Sequence, residues 1–297
     1  MKCLFWAVSK LRRIINYLNC RNVENYIIKN NPDVIITTHF LPVEVISSLK
    51  RKRRFKGKLI TVVTDFGLHS FWVSKEVDRY VVATELTKRD LLERGISENR
   101  IDVLGIPIRS VFVTKKDKRE LLSKLGAKEG VFTILIAGGG FGAGPVGILF
   151  KNLAGLKYDK QLFVVCGTNT RLQGALETAA KDFPNICKIF GFVENMDELM
   201  RVSDILIGKS GGLTCSEALA LGTPMIIVSP IPGQEARNTK ILVKCGAAIE
   251  LKNLSDINEL VERIILNKEI LKNLSENSKS LARPEAARDI ANLTLSL

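Results

Sequence analysis

Short apolar runs rich in β-branched residues alternate with amphipathic stretches along this chain. In the first part these runs are DVIITT (33–38), KLITVVTD (58–65), RYVVAT (79–84) and RIDVLG (100–105). Helical candidates lie between them, near residues 42–54 and 86–94. Because the apolar runs are continuous rather than alternating, helices are predicted to cover both faces of each sheet. The pattern indicates an α/β fold with parallel strands and right-handed crossovers.

The pattern restarts after a stretch with proline and many basic residues, GIPIRSVFVTKKDKRELLSKLG (105–126). Further strands are predicted in VFTILIAGGG (131–140), QLFVVCG (161–167), NICKIFGFV (185–193), DILIGK (204–209), PMIIVS (224–229) and AAIEL (247–251). The last helices are expected near 255–281 and 285–296. We therefore predict two Rossmann-like domains, residues 1–113 and 114–297, with the last helix a candidate to pack back on the first.

The first of these domains is predicted to be incomplete. It opens with a basic amphipathic segment, and only about four strands precede the junction, where a full doubly wound sheet has five or six. Composition places the 297 residues among globular proteins, with 46% hydrophobic and 25% charged residues. No run of 18 uncharged apolar residues occurs, and the start lacks the features of a secretory signal. Six scattered cysteines without a CxxC pair favour reduced thiols in a cytoplasmic protein.

Charge changes this picture, because the net charge of +13 is concentrated in the first part of the chain. The stretch KRKRRFKGK (50–58) holds seven cations in nine residues. Such a run suits nucleic acid or the anionic headgroups of a membrane. Near an anionic surface each cation contributes roughly 1 kcal/mol. The alternative is a solvated helix end whose lysines and arginines serve solubility.

Glycines follow the first strand of the second half, at the sheet edge where open α/β sheets bind ligands. In AGGGFGAGP (137–145), Gly138, Gly139 and Gly140 let a phosphate approach the backbone closely. The helix that follows would direct free N–H groups and its positive dipole end at the anion. A plain tight turn is the alternative, since glycine-rich strand-to-helix loops are common.

A sharper motif is GKSGGLTCSEA (208–218), which again leads from a strand into a helix. It supplies a cation, two glycines and two hydroxyls, which suit a diphosphate: Lys209, Ser210, Gly211, Gly212 and Thr214. Glu217 would repel phosphate, and a ribose diol is its natural partner, as for the acidic residue of dinucleotide sites. The alternative is a helix capping box, with Ser or Thr as the N-cap and Glu217 near the third position, three residues after Thr214.

The next loop, IPGQEARN (231–238), places Gln234 and Glu235 at a helix start. An amide and a carboxylate hold several vicinal hydroxyls, although an acidic residue at a helix N-terminus is a simpler explanation. Phe192 and Val193 also follow a strand, where an aromatic ring can cover a base or pack in the core. Three such loops on one sheet edge predict a pocket for a nucleotide-linked sugar.

The two histidines of the chain, His39 and His69, both lie at strand ends of the first half, and Asp65 is close to His69 in sequence. This placement suits proton transfer. Histidines held by hydrogen bonds in a domain cleft are the alternative. Trp72 either meets an apolar acceptor or packs within the domain.

Taken in order, TTHFLP, VVTDFGLHSFW, VDRYVVATE, VLGIPIR, LIAGGG, VVCGTN, GFVENMDEL, GKSGGLTCSEALALGTPMII and PIPGQEARN resemble glycosyltransferase family 28. Within that family the chain is most similar to the diacylglycerol glucosyltransferases and monogalactosyldiacylglycerol synthases. The resemblance covers nearly the whole chain, and the last two motifs are quite specific.

The resemblance implies a GT-B fold, in which two Rossmann-like domains face each other across a cleft, and a UDP-sugar donor on the C-terminal domain. It implies no cofactor and no metal. It places Glu217 on the ribose, residues 138–140 and 210–214 near the diphosphate, and Phe192 and Val193 beside the base. The hexose would be held by Gln234, Glu235 and Asn238, and the lipid acceptor would lie near His39 and Trp72.

The implied activity is hexose transfer to a lipid acceptor such as diacylglycerol, in glycolipid synthesis. The protein would be peripheral on the cytoplasmic face of the plasma membrane, with no nucleic-acid partner. It would dock on anionic lipid through the cations Lys50, Arg51, Lys52, Arg53 and Arg54.

One feature of the family pattern is missing. Family members begin with a strand and a glycine-rich loop that carries a histidine, the proposed general base, and nothing like it precedes Lys2. We therefore expect an N-terminally truncated relative, in which His69 and Asp65 are the remaining candidates for proton transfer. The alternatives are a catalytically impaired relative that binds a nucleotide-sugar or a membrane, and a nucleotide-sugar epimerase that needs no lipid.

Overall fold

The computed structural model describes residues 20–183 and 187–297, which form two compact units. The first unit comprises residues up to Thr64, Leu68–Ile106 and Arg288–Leu297. The second comprises Asp65–Gly67 and Pro107–Ala287. Each contains one parallel sheet, so the predicted α/β fold with two parallel, Rossmann-like sheets is confirmed.

The sheet of the first unit has four strands in the order β1-β2-β3-β4. These are β1 (Val34–Thr37), β2 (Lys58–Val62), β3 (Arg79–Val81) and β4 (Ile101–Asp102). The helices are α1 (Arg21–Asn30), α2 (Phe40–Arg51) and α3 (Glu85–Glu93), with short 3-10 helices at Ser70–Trp72 and Glu98–Arg100. Each strand falls within one of the predicted apolar runs, and α2 and α3 lie near the predicted helices.

Apolar side chains cover both faces of this sheet. On one face Leu49, Leu59 and Tyr80 belong to a buried cluster with Trp72 of the Ser70–Trp72 turn. On the other face Ile60, Val62 and Val81 are covered by α12 (Ala286–Leu295), through Ile290 and Leu293. Residues three apart lie on the same side of a helix, so α12 presents one apolar stripe to the strands.

The second unit contains a sheet of six strands in the order β10-β9-β8-β5-β6-β7. They are β5 (Phe132–Ala137), β6 (Lys160–Val165), β7 (Cys187–Phe190), β8 (Ile205–Gly208), β9 (Met225–Val228) and β10 (Ala248–Leu251). Its helices are α4 (Lys118–Leu125), α5 (Val146–Ala154), α6 (Thr170–Ala180), α7 (Met196–Val202), α8 (Gly212–Leu221), α9 (Gln234–Lys244), α10 (Ile257–Leu266) and α11 (Lys268–Leu281). A further 3-10 turn lies at Ser110–Phe112 and another at Leu254–Asp256.

Strands β6 and β9 are buried along their whole length, as the continuous apolar runs predicted. The predicted helical stretch 255–281 consists of two helices. The Asn267 side chain accepts a hydrogen bond from the Glu269 amide at 3.1 Å and caps the start of α11. Asparagine stabilises helix starts more than helix interiors, so the chain changes direction at this residue.

Hydrogen bonds and ion pairs hold the segment before α4 against α7. The Arg201 guanidinium donates to the carbonyls of Val111, Phe112 and Thr114, at 3.2, 3.2 and 2.7 Å. Glu198 pairs with the ammonium groups of Lys124 and Lys116, at 2.8 and 3.1 Å. The bond from Lys124, followed by that from Asn195, lowers the pKa of Glu198 to about 2 despite its burial. The segment that follows β4 is thereby fixed to the second unit.

Candidate functional site

The site is built where strand order reverses in the second sheet. Strands β5 and β8 are neighbours, with Ala137 paired to Gly208, and the chain leaves them towards opposite ends of the sheet. Loops at such a switch point diverge and leave a crevice beyond the carboxyl ends of the strands. The loops after β5 and β8 are the two glycine-rich motifs of the sequence.

The glycines of the loop after β5 differ in how strongly the backbone requires them. A Cβ on Gly142 would lie 2.0 Å from the Cys166 carbonyl oxygen, and the φ of Gly142 is +61°. Gly139 also has a positive φ, of +70°. Gly140 has neither constraint, since no atom lies within 4 Å of the position of its missing Cβ. The exposed backbone at Gly139 and Gly140 is therefore open to close approach by a ligand.

The helix after β8 begins without a side-chain cap. Gly211 is its N-cap residue, and the first backbone bond runs from the Cys215 amide to the Gly211 carbonyl at 2.9 Å. The capping-box alternative is therefore wrong, because Thr214 lies inside α8. The amides of Gly212, Leu213 and Thr214 precede that first bond, and the positive end of the helix dipole lies there.

A cavity of about 270 Å³ lies between these loops. The backbone of residues 137–140 forms one wall, and Gly208, Gly211 and Thr214 form another. Side chains that complete it are Phe141, Met196, Lys209, Ile231 and Glu235. The cavity thus combines bare backbone, a helix N-terminus and one cation, a combination that suits an anion.

Glu217 is the acidic residue of α8 and lies six residues after Gly211 at the start of the helix. It is half-buried, and its carboxylate has no hydrogen-bond partner among the residues that the structure describes. Burial raises its pKa to about 7; the Arg109 guanidinium opposes this shift and the Asp197 carboxylate adds to it. A half-buried carboxylate without a hydrogen-bond partner, and with a pKa near neutral pH, is suited to accept hydrogen bonds from a ligand.

Arg109 is a residue that the sequence analysis did not single out. Its Nη2 donates to the Glu194 carbonyl oxygen at 3.0 Å, and its guanidinium lies 5.8 Å from the centre of the Phe112 ring. Its electrostatic effect on Glu217 links it to the site. The available signal was its place in IPIR, shortly after a predicted strand.

The loop after β9 brings Gln234 and Glu235 to the first turn of α9. Glu235 lines the cavity, and its Oε2 accepts a hydrogen bond from the Ile231 amide at 2.7 Å. Gln234 is exposed. Gly233, with φ of +103°, supplies the sharp bend before the helix.

Two predicted residues are buried beneath this loop rather than open to the cavity. The Ser210 hydroxyl donates to the Glu235 carbonyl at 2.7 Å and lies 2.8 Å from the Thr239 hydroxyl. Asn238 is 1% exposed; its Oδ1 accepts from the amides of Phe66 and Gly67, at 2.8 and 3.0 Å. Its Nδ2 donates to the Ser210 carbonyl at 2.9 Å and to Asp65 at 3.3 Å.

Phe192 and Val193 follow β7. Phe192 is 66% exposed and Val193 is half-buried, so the alternative that Phe192 packs in the core is wrong. Phe141 in the glycine loop is 84% exposed, and the sequence analysis did not consider it. Exposed rings beside a crevice are suited to stack on a planar group.

In the first unit the predicted residues His39, His69 and Trp72 form an aromatic cluster with Phe40 and Phe71. Nδ1 of His39 accepts from the Leu41 amide and Nδ1 of His69 from the Phe71 amide, each at 3.2 Å. Each histidine thus caps a helix, which in the neutral form places the ring proton on Nε2. Trp72 is 1% exposed and packs in the core of this unit.

The basic run contains cations in different settings. Lys50 pairs with Asp78 at 2.5 Å and donates to the Gly57 carbonyl at 2.9 Å, and Arg54 lies 3.7 Å from Glu24. Arg51, Lys52 and Arg53 are exposed. Over the described part of the chain, none of the helices combines the length and apolar character that crossing a bilayer requires.

Comparison with known proteins adds independent findings. A family model described as glycosyltransferase family 28 C-terminal domain matches residues 133–293. A second model, described as monogalactosyldiacylglycerol (MGDG) synthase, matches residues 6–108. The processive diacylglycerol beta-glucosyltransferase of Bacillus pumilus is 35% identical over 303 residues, covering 97% of this chain and 76% of the relative.

Solved structures share the fold. The chain is similar to the MurG protein of Acinetobacter baumannii, with a TM-score of 0.68 and 17% identity over 92% of this chain and 76% of that one. It is also similar to the S. aureus MnaA-UDP co-structure, with a TM-score of 0.69 and 17% identity over 94% of this chain and 80% of that one. At such identities the likeness concerns the fold.

Proposed function

The chain belongs to glycosyltransferase family 28, and on that premise we propose that it transfers a hexose from a UDP-sugar to the hydroxyl group of a membrane lipid such as diacylglycerol. The 35% identical relative named as a processive diacylglycerol beta-glucosyltransferase supports this substrate pair. The observation that carries the proposal is the crevice beside β5 and β8, where bare backbone, the start of α8 and Lys209 meet. A nucleoside diphosphate has the charge that this crevice fits.

The diphosphate is proposed to lie between the glycine loop and the start of α8. Backbone amides of Gly139, Gly140 and residues 211–214 would donate to its oxygens, and the Lys209 ammonium would neutralise charge. The Gly138 amide is already bound to the Val165 carbonyl. Charge grows on UDP as the bond to the sugar breaks, so the same groups stabilise the leaving group in the transition state. Ser210 would contribute through its backbone, because its hydroxyl is bound to α9.

The nucleoside is proposed to lie beside Glu217 and the loop after β7. The Glu217 carboxylate would accept hydrogen bonds from the two ribose hydroxyls, which supplies the partners that it lacks in the free protein. Phe192 is available to stack on the base, and Val193 lies next to it. The hexose would then contact Gln234 and Glu235 at the start of α9.

The acceptor side is proposed to use the first unit. His39 and the ring cluster around Trp72 are the proposed neighbours of the lipid. Arg51, Lys52 and Arg53 are among the exposed cations of the basic run, and we propose that they hold the protein on an anionic membrane, at the cytoplasmic face. Lys50 and Arg54 face carboxylates within the unit, so we assign them a smaller part in membrane binding.

Removal of the acceptor proton is proposed to involve His69. Because Nδ1 of His69 accepts the Phe71 amide, its Nε2 can take a proton only when the ring changes tautomer and releases that amide. Asp65, the second candidate, is engaged by Gln234 and Asn238. Its carboxylate is therefore committed to the start of α9, so either candidate has to give up a hydrogen bond before it takes a proton.

The proposal is tested by incubating the full chain with labelled UDP-glucose or UDP-galactose and vesicles that contain diacylglycerol and anionic lipid. We expect labelled glycolipid, and we expect Lys209→Ala to lower the rate at least tenfold, since one charged partner of the leaving group is lost. Lys252→Ala, at an exposed lysine after β10, is the matched control and should leave the rate unchanged.

Other outcomes are equally informative. UDP binding without labelled lipid would indicate a relative that binds the nucleotide but lacks the transfer reaction. A changed sugar in the absence of lipid would indicate an epimerase. Failure to bind UDP at millimolar concentration would contradict the proposed donor site itself.

A further inference from the structure

The Asp65 carboxylate lies against the start of α9, in the second unit. Its Oδ2 accepts a hydrogen bond from Gln234 Nε2 at 2.6 Å, and its Oδ1 accepts one from Asn238 Nδ2 at 3.3 Å. Asp65 is 6% exposed, whereas Gln234 is exposed. A buried carboxylate therefore holds the amide of an exposed side chain whose neighbour in sequence, Glu235, lines the cavity.

Asn238 keeps Asp65 in this place. Its amide uses all of its hydrogen-bonding groups: Oδ1 accepts from the Phe66 and Gly67 amides, and Nδ2 donates to Ser210 and Asp65. A Cβ on Gly67 would lie 2.3 Å from the Arg237 Cβ, so only glycine allows the segment to approach α9 this closely. The carboxylate is thus fixed on both sides before any ligand arrives.

An ionised carboxylate can only accept hydrogen bonds, so the atom of Gln234 that faces Asp65 has to be the NH2 group. The amide of Gln234 is then locked in one of its two orientations. Its Oε1, which only accepts, is then turned away from Asp65 towards a ligand, and one N–H of the NH2 group also remains. The same holds at Glu235, whose Oε2 accepts from the Ile231 amide and whose Oε1 remains.

Resting on the function proposed above, we propose that Asp65 is a positioning residue that fixes the Gln234 amide, so that Gln234 and Glu235 present two acceptor oxygens to the hexose. The sugar must then donate two hydroxyl protons at this end of the site. This selects a hexose with free hydroxyls over one whose contacting groups are acceptors only, because two facing acceptors repel each other.

The substitution Asp65→Asn tests the orientation directly. Asn238 Nδ2 needs an acceptor at its partner, so the asparagine introduced at position 65 turns its Oδ1 to Asn238 and its NH2 to Gln234. Gln234 then has to rotate its Oε1 inward and point its NH2 at the hexose. The polarity of the contact with the sugar is reversed without a change in side-chain size.

The readout is the affinity of the full chain for UDP-glucose relative to UDP, measured by titration calorimetry. We expect Asp65→Asn to weaken UDP-glucose binding about tenfold and to leave UDP binding within twofold, since only the sugar contacts Gln234. Asp182→Asn, at an exposed aspartate after α6, is the matched control and should change neither. A thermal unfolding curve for each variant excludes a loss of fold.

An exchange of the two groups separates positioning from a merely structural contact. Gln234→Glu alone brings two carboxylates together and should weaken UDP-glucose binding. In the double variant Asp65→Asn, Gln234→Glu, the amide NH2 introduced at position 65 donates to the carboxylate introduced at position 234, and a locked acceptor faces the sugar again. We expect the double variant to bind UDP-glucose about tenfold more tightly than Gln234→Glu.

Three results overturn the inference, and they differ from a failure of the proposed function. Equal UDP-glucose affinity in Asp65→Asn and Asp182→Asn overturns it, as does a double variant whose loss is the sum of the two single losses. A fall in turnover alone, with UDP-glucose affinity intact, would assign Asp65 to proton transfer instead. Absence of UDP binding in the unmodified chain would overturn the donor site and this inference together.

Discussion

At the scale of single residues, the site contrasts polar groups that are fully bonded with one that is not. Asn238 and Ser210 have their side chains committed within the second unit. Glu217 is half-buried and has no hydrogen-bond partner in the described part of the chain. Committed groups fix the shape of the site, whereas the uncommitted carboxylate is available to a ligand. From the sequence alone, Asn238, Ser210 and Glu217 are all equally predicted to contact the ligand.

The raised pKa of Glu217 has a consequence for stability. In the folded chain burial holds this pKa at about 7, against 4.5 for an ordinary glutamate, so between these values the unfolded chain releases a proton that the folded chain keeps. Stability therefore falls as pH rises from 4.5 through 7. We expect Glu217→Gln to be more stable than the unmodified chain at pH 8 by about 1–2 kcal/mol, after allowing for solvent screening.

Urea unfolding at pH 4 and pH 8 measures this effect. At pH 4 the two proteins should have the same midpoint, because the carboxyl group is protonated in both states. The same variant should bind UDP less tightly at pH 8, since an amide donates to the ribose hydroxyls less suitably than a carboxylate accepts from them. Equal midpoints at pH 8 would show that the carboxyl group has an ordinary pKa.

At the scale of secondary structure elements, the strands were predictable and the details of the loops were not. Buried parallel strands have continuous apolar runs, and the strands of the described residues fall within predicted runs, except that β6 begins one residue earlier, at Lys160. The loop motifs were located correctly at the carboxyl ends of β5 and β8. The start of α8 at Gly212, with Gly211 as the N-cap residue, was not predicted, because the sequence also allows a capping box at Thr214.

Side-chain direction was likewise beyond the sequence. Ser210 faces α9 rather than the cavity, and Trp72 is enclosed by the core of the first unit. Both outcomes depend on residues distant in the chain, such as Thr239 for Ser210. Periodicity and spacing report which element a residue lies on, but the partner of a hydroxyl is decided by tertiary packing.

The loop after β5 allows packing and ligand approach to be separated within one element. Gly142→Ala should destabilise the chain by about 1–3 kcal/mol, because the new Cβ would meet the Cys166 carbonyl oxygen and the residue keeps a positive φ. Gly140→Ala should change stability by less than about 0.5 kcal/mol, since no atom lies within 4 Å of its new Cβ.

UDP affinity should be lowered by Gly140→Ala, the substitution that is expected to leave stability unchanged. The methyl group of Gly140→Ala lies where the diphosphate is proposed to approach, so we expect UDP affinity to fall about tenfold in this stable variant. Urea unfolding and UDP titration of the two variants measure both effects. If Gly140→Ala bound UDP normally, the diphosphate would not lie against this loop.

At the scale of the whole molecule, the end of the chain is part of the first unit. After the last helices of the second unit, residues 288–297 group with β1–β4 rather than with their sequence neighbours. Ile290 of α12 packs on Ile60, Val62 and Val81, and it is 6% exposed. The first sheet is therefore covered on this face by residues more than 180 positions away in the sequence. Contacts between residues so distant in sequence slow the folding of a domain.

This arrangement predicts that substitutions on the buried side of α12 destabilise the first unit. Ile290→Ala removes apolar contacts from the first sheet and should destabilise the first unit by about 2–4 kcal/mol. Leu295→Ala, on the same helix at 87% exposure, is the matched control and should change stability by less than about 0.5 kcal/mol. Hydrogen exchange followed by mass spectrometry should show faster exchange of the β2 and β3 amides in Ile290→Ala only.

Since the groups proposed to bind UDP belong to the second unit, UDP affinity should stay within twofold of the unmodified chain in both variants. Uniformly faster exchange across β5–β10 as well would show that the two units unfold as one, and the stability of the donor site would then depend on the last helix too.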